Sequence, residues 1–248
     1  MKISAKRSRR TDRSRRPRRR LLISCEHGGN DVPVQYARLF VGAAEVLDSH
    51  RGMDFGALEM ARSFAKKLRA PLVAATTTRL LVDLNRSAHH RNVFSEFSRA
   101  LAPAEREIAM RRYYTPYRTD VERRIAAAVR SGDAVLHISS HSFTPALNGE
   151  TRRTDLGLLY DPRRPFERSF ATAWHEALHA RAPQLQVRRN YPYRGVNDAL
   201  VTHLRRRHGD RSYAGVELEV NQKFVADPAW PELIAAISDA LAAAVASQ

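Results

Sequence analysis

Four short apolar runs, each carrying charged or imidazole side chains in it or at its end, constrain this chain more than any other feature. The first is Leu21-Leu22-Ile23-Ser24-Cys25, which breaks into Glu26-His27-Gly28-Gly29-Asn30. Five or six apolar residues are enough for a buried strand. The paired glycines let the backbone turn sharply and let a ligand come close. Leu80–Arg86, Ala134–His141 and Gly215–Val220 repeat the pattern, with Asp83, Asn85, Arg86, His137, His141, Glu217 and Glu219 in or just after the apolar stretch. Open α/β sheets bind ligands at the carboxyl ends of their strands, so these residues are candidates for one site.

The intervening segments read as helices. In Asp54–Leu68, Leu58, Ala61, Phe64, Ala65 and Leu68 recur at helical spacing, and Asp54 stands where a carboxylate can cap the first turn. Ala104–Val129, Phe166–Ala180, Val196–Arg207 and Pro231–Ala246 are further helical stretches, and Val34–Phe40 and Ala43–Leu47 are short helical or irregular ones. Pro71–Ala75, Leu80–Leu84, Ala134–Ile138, Leu156–Tyr160, Leu185–Val187 and Gly215–Val220 are predicted strands. Ser142–Asp155 is a long polar loop and Asn190–Gly195 a turn-rich one. Strands that alternate with helices predict an α/β fold with a mixed, mainly parallel central sheet flanked by helices. At 248 residues one large domain suffices, and its core needs no covalent staples.

The net charge of +16 is unevenly spread: residues 1–20 hold eleven Lys/Arg against one Asp, so they carry +10 and the other 228 residues +6. The expected organisation is a disordered basic tail over 1–20 and a single domain over 21–248, because the tail has too few apolar residues to fold. Such a tail can bind polyanions weakly and with strong salt dependence. No run is long enough for an export signal or a membrane span. The lone cysteine, Cys25, excludes a disulfide framework and predicts a reducing, cytoplasmic setting. Beside His27 it invites a Cys–His nucleophile, but its place inside the strand run favours a small buried filler.

His27, His141 and Glu219 together suit metal-dependent hydrolysis. Two imidazoles and a carboxylate are a common open zinc set, and a further carboxylate activates water. The same residues also read as buried histidines hydrogen-bonded at strand ends. His175-Glu176-Ala177-Leu178-His179 is a literal H-E-x-x-H, yet Glu176 and His179 fall off the apolar stripe of their helix, which suits a solvated flank. His89, His90 and Arg91 are candidates for a substrate entrance. Arg194, between Tyr193 and Gly195, is a candidate in a flexible substrate loop.

Five motifs in order carry a resemblance: Cys25–Asn30, Met53-Asp54-Phe55-Gly56-Ala57, Arg79–Arg86, Ser139-Ser140-His141-Ser142-Phe143 and Glu217–Gln222. Spanning about residues 21–225, they resemble the N-formylglutamate amidohydrolase family, related in fold to the zinc carboxypeptidases. The resemblance implies a phosphorylase/hydrolase-like fold and one Zn2+ per chain. It implies His27 and His141 as metal ligands and Glu219 as the carboxylate that activates water. Asn85 and Arg86 would hold a substrate carboxylate, a task that suits arginine's planar fork, with Arg194 on a second one. Where the carboxypeptidases have a ligating Glu three residues after the first His, this chain has Asn30. Asp54 is the expected substitute, with Glu26 and Asp31 as alternatives. The implied activity is hydrolysis of a small N-acyl amino acid, N-formyl-L-glutamate foremost, in histidine degradation. A peptidase or peptidoglycan amidase with the same centre, and a nucleic-acid-binding protein with a degenerate hydrolase domain, are the competing readings.

Overall fold

A computed structural model describes residues 18–248. The expected basic tail therefore falls, up to residue 17, outside the described residues. Its last three arginines do not: Arg18 precedes, and Arg19 and Arg20 open, the first strand, β1, which is Arg19–Cys25. Arg20 joins the strand because its Nε reaches Asp133 Oδ2 at 2.8 Å, and the Arg19 guanidinium lies 3.4 Å from the centre of the Phe166 ring.

The elements that follow are α1 (Ala44–Leu47), α2 (Ala57–Leu68), β2 (Leu72–Ala74), α3 (Pro103–Ala109), α4 (Thr115–Arg130), β3 (Ala134–Phe143), β4 (Ala146–Leu147), β5 (Glu150–Thr151), β6 (Leu156–Leu159), α5 (Pro165–Arg181), β7 (Val187–Arg189), α6 (Leu200–Arg207), β8 (Tyr213–Asn221) and α7 (Trp230–Ala246). Six strands form one sheet in the order β2-β1-β3-β8-β6-β7. β2, β1, β3 and β8 are mutually parallel, and β6 turns antiparallel to β8. The sheet is mixed and mainly parallel, with helices on both faces, as the alternation of elements predicts. No described helix is long and apolar enough to cross a membrane.

Each face of the sheet has its own apolar core. Met60 and Phe64 of α2, Phe170 and Trp174 of α5, and Ile237 and Leu241 of α7 fill one side. Val121 and Ile125 of α4, with Leu200 and Leu204 of α6, fill the other. Burial on both faces is why parallel strands read as continuous apolar runs. It also makes the polar residues of β3 and β8 conspicuous, because all ten residues of β3 and all nine of β8 are buried. Buried polar side chains need partners or a function.

Several elements depart from expectation. Leu80–Leu84 is not a strand but a series of turns. Its leucines and Val82 are apolar because they plug the second core, and β2 already occupies the edge of β1. α2 begins at Ala57, not Asp54. Gly56 precedes it at φ +75°, where a Cβ would also meet the Trp230 ring at 2.5 Å, so only glycine fits. The helix over Val196–Arg207 starts at Leu200, the short strand at Leu185–Val187 lies at Val187–Arg189, and the loop over Ser142–Asp155 contains the β4–β5 hairpin.

Candidate active site

The chain leaves β1 for β2 on one side and returns as β3 on the other. A crevice opens where the strand order diverges in this way. His27 lies two residues past β1, and His141 is near the carboxyl end of β3. Glu219 of β8 sits directly opposite His141 in the strand register. Asp54 arrives from the turn before α2, tied by its backbone N–H to the His27 carbonyl at 2.9 Å. Freed from capping the helix, its side chain enters the crevice. Its Oδ2 lies 3.4 Å from His27 Nδ1 and 2.8 Å from His141 Nδ1.

The other nitrogen of each ring is held by a second carboxylate. His27 Nε2 is 2.7 Å from Asp83 Oδ1, and His141 Nε2 is 3.0 Å from Glu26 Oε2. Carboxylates placed behind imidazoles in this way fix the ring and the tautomer, leaving the opposite nitrogen for a metal. Glu26 is fixed in turn by Tyr117 Oη at 2.8 Å and Ser139 Oγ at 2.6 Å. Arg79 spans Asp54 Oδ1 at 3.1 Å and Asp83 Oδ2 at 3.0 Å.

Charge follows these contacts. Burial alone would raise the carboxyls of Glu26, Asp54 and Asp83. The neighbouring His141, His27 and Arg79 override it and hold all three below the usual carboxylate range. The same burial works against protonation of His141, but its hydrogen bonds to Asp54 and Glu26 raise it well above an ordinary histidine. At Glu219 the help from His141 and Arg79 is outweighed. Burial, with the charges of Asp54 and Glu217, pushes it up to about 8.

Among the described residues, one group has metal-ligand geometry: His27, Asp54 and His141, whose ligand atoms lie within 4.8 Å of one another. Glu219 Oε2, buried beside them, has no hydrogen-bond partner. Two imidazole nitrogens and a carboxylate oxygen, with an orphaned carboxylate alongside, fit a catalytic divalent ion such as zinc. The cluster can hold a metal.

The remaining predicted site residues line the same pocket: Asn85, Arg86 and Arg194. Asn85 is part of the frame, since its Oδ1 accepts the Leu200 N–H at 2.7 Å. Arg86 Nη1 donates to the Asp198 carbonyl at 3.0 Å. Arg194 sits at the exposed rim, on a loop pinned by Asn190 Oδ1, which accepts the Gly195 N–H at 2.9 Å. The alternatives for the second ligand go elsewhere. Asn30 donates to Leu47 O and Asp48, Asp31 pairs with the Thr77 backbone, and Glu26 backs His141. Cys25 is fully buried. In the H-E-x-x-H segment, Glu176 and His179 are exposed and His175 Nε2 faces the Val187 carbonyl at 3.3 Å. His89 and His90 do not line the pocket.

Four contributors carry a weaker sequence signal: Glu26, Arg79, Asp83 and Glu217. Only Glu217 has a local one, since residues two apart on a strand share a face.

An α/β sheet that brings two histidines and an aspartate together beside a buried glutamate offers a site able to hold a metal ion at the carboxyl ends of its strands, and the family comparison makes the chain an amidohydrolase-type hydrolase. The chain belongs to the N-formylglutamate amidohydrolase family, whose pattern matches residues 19–226. A gene product of Agrobacterium tumefaciens of known structure is 29% identical, with 92% of this chain and 90% of that one covered at a TM-score of 0.78. An N-formylglutamate amidohydrolase from Ralstonia eutropha has the same fold at 17% identity, covering 93% and 94% of the two chains at a TM-score of 0.69. No curated protein matches the sequence.

Proposed function

We propose that this protein is a zinc-dependent amidohydrolase that cleaves the amide of a small N-acyl amino acid, with N-formyl-L-glutamate the first compound to test. The observation that carries the reading is the His27–Asp54–His141 cluster with the partnerless Glu219 Oε2 beside it. Zinc held by those three residues, one ion per chain, would supply polarisation of the acyl carbonyl and acidification of water.

The chain's own part is proton transfer and grip. Glu219 Oε2 takes a proton from water as the water oxygen bonds to the acyl carbon. It gives that proton to the nitrogen as the C–N bond breaks, releasing the acid and the free amine. A nearby divalent charge favours the ionised carboxylate, so it lowers the value of about 8 that Glu219 has without the ion toward the working pH, the range a general base needs. Arg86 takes the substrate carboxylate near the reacting bond and Arg194 a second one at the rim.

The test is formate release from N-formyl-L-glutamate by the zinc-loaded protein and by Glu219→Gln. The variant keeps its metal and loses about 10²–10⁴-fold in turnover. Activity above about one per cent of wild type overturns the role of Glu219.

A further inference from the structure

Arg205 of α6 and Glu167 of α5 form a buried ion pair that takes no part in the chemistry assigned to Glu219, Arg86 and Arg194. Arg205 Nε lies 3.0 Å from each carboxylate oxygen of Glu167. Replacing such a pair by well-packed apolar residues is often neutral or stabilising, so stability alone is a weak reason for having one. The remaining hydrogen bonds of the pair supply another reason. Arg205 Nη1 donates to the Gly195 carbonyl and to Thr202 Oγ1. Arg205 Nη2 donates to the Gly215 carbonyl at 2.6 Å, and Glu167 Oε1 accepts the Gly215 N–H at 3.1 Å. The pair therefore ties the loop around Gly195 to β8, the strand that carries Glu219.

Gly195 is the anchor of that loop. It is buried, while Tyr193, Arg194, Val196 and Asn197 around it are exposed. Its N–H donates to Asn190 Oδ1 at 2.9 Å. A Cβ at this position would meet the Tyr160 backbone nitrogen at 2.2 Å, so only glycine can lie this close to the end of β6. The residues on either side reach the pocket. Arg194 lines it, and the Asp198 carbonyl accepts from Arg86 Nη1 at 3.0 Å. The Asp198 side chain accepts the Ser87 N–H at 2.9 Å. One short segment thus carries one of the two arginines assigned to substrate carboxylates and holds the other. Where Gly195 sits decides how far apart the two guanidinium groups stand.

Resting on the hydrolase reading and on its roles for Arg86 and Arg194, we propose that Arg205, paired with Glu167, is a positioning residue that sets the length of substrate the pocket selects. By clamping Gly195 it fixes the span between Arg86 and Arg194, and with it the separation of the two carboxylates that bind well. Arg205 itself does not line the pocket. A dicarboxylate one methylene too short meets one arginine squarely and the other poorly. A shift of about 1 Å in such a clamp can cost on the order of 10²-fold.

The experiment compares Arg205→Lys and Gly195→Ala with the parent protein. Lysine keeps the charge but loses the fork that reaches Glu167, Gly195 and Gly215 together. Alanine lifts the loop from Tyr160 and leaves the ion pair in place. Calorimetry in the Glu219→Gln background measures binding of N-formyl-L-glutamate and N-formyl-L-aspartate to the zinc-loaded proteins without turnover. KM and kcat for formate release, and zinc content, are measured with Glu219 present. The parent binds N-formyl-L-glutamate at least about tenfold more tightly than N-formyl-L-aspartate, the scale of one methylene. Either substitution weakens N-formyl-L-glutamate at least about tenfold and narrows the ratio to about threefold or less. KM rises while kcat stays within about threefold, the sign of lost binding rather than lost chemistry, and zinc content is unchanged. The proposal fails if the parent binds neither ligand or does not separate them. It fails if a folded variant keeps the parent's ratio, or if kcat and zinc content fall with KM unchanged, as loss of a purely structural pair would do. Should Arg205→Lys not fold, Gly195→Ala decides. The predicted binding pattern without formate release by the parent counts against the hydrolase reading and leaves the positioning role standing.

Discussion

His137 and His141 lie four residues apart on β3, on the same face of the strand, and both are buried. Their surroundings make them different groups. His137 meets two hydroxyls, Ser24 Oγ at 2.8 Å and Tyr213 Oη at 2.9 Å. Burial among these neutral partners pulls its pKa down to about 4. His141, nearer the carboxyl end of the strand, meets Asp54 and Glu26 and moves the opposite way. Hydroxyls can satisfy a neutral imidazole, whereas carboxylates on both nitrogens prepare one to bind a cation. One strand thus holds a hydroxyl-bound histidine within the sheet and a carboxylate-bound one at its mouth.

The largest expected effect that separates the two environments comes from Asp54→Ala. If Asp54 ligates the metal as proposed, its loss lowers metal affinity by more than about 100-fold, beyond the range for groups behind the ligands. Tyr213→Phe, at the other histidine, leaves metal affinity unchanged. A chelator competition assay measures both.

The second effect is on acid stability. His137 has its folded pKa, about 4, below the unfolded value near 6.5. The folded state therefore binds fewer protons, and the contribution is present above pH 6.5 and lost as pH falls toward 4. Its ceiling is about 3 kcal/mol. His141 and Glu219, both raised, act in the opposite sense, so the difference between wild type and His137→Gln isolates it. Urea unfolding of the two proteins from pH 7 to pH 4 should show the variant losing less stability. Parallel curves would make His137 electrostatically silent.

Glu26→Gln comes third. Glu26 touches no reacting atom and acts through His141, so it is a positioning residue. Its loss costs about 10–100-fold in metal affinity and restores nothing at His137. Ser24→Ala is the smallest change. It removes one hydrogen bond to His137 and costs about 1–3 kcal/mol of stability, with zinc affinity untouched.

How far this contrast is legible in sequence follows from the same physics. β1 and the start of β3 are legible because strands buried on both faces are continuous apolar runs, and β8 because Glu217 and Glu219 interrupt such a run. Leu80–Leu84 has the same composition and is not a strand, since a plug of turns against a core selects the same residue types. The position of His27 follows from the Gly-Gly turn after β1. Asp54 could be chosen over Glu26 and Asp31 only through the order of motifs. Its competing role as a helix cap is settled in three dimensions, where Gly56 precedes the helix instead. The long-range partners are beyond local pattern: Glu26 and His141 are far apart in the chain, as are His27 and Asp83. Parallel pairing through crossovers brings them together, and no spacing along one strand encodes it.

The most direct test of the whole account is metal stoichiometry. Wild type, His141→Ala and His137→Gln would be stripped with a chelator, reloaded with zinc, freed of excess and measured by elemental analysis. About one zinc per chain in wild type and His137→Gln, with none in His141→Ala, is the predicted result. Zinc retained by His141→Ala, or absent from wild type, would contradict the assignment of the β3 mouth as a metal centre.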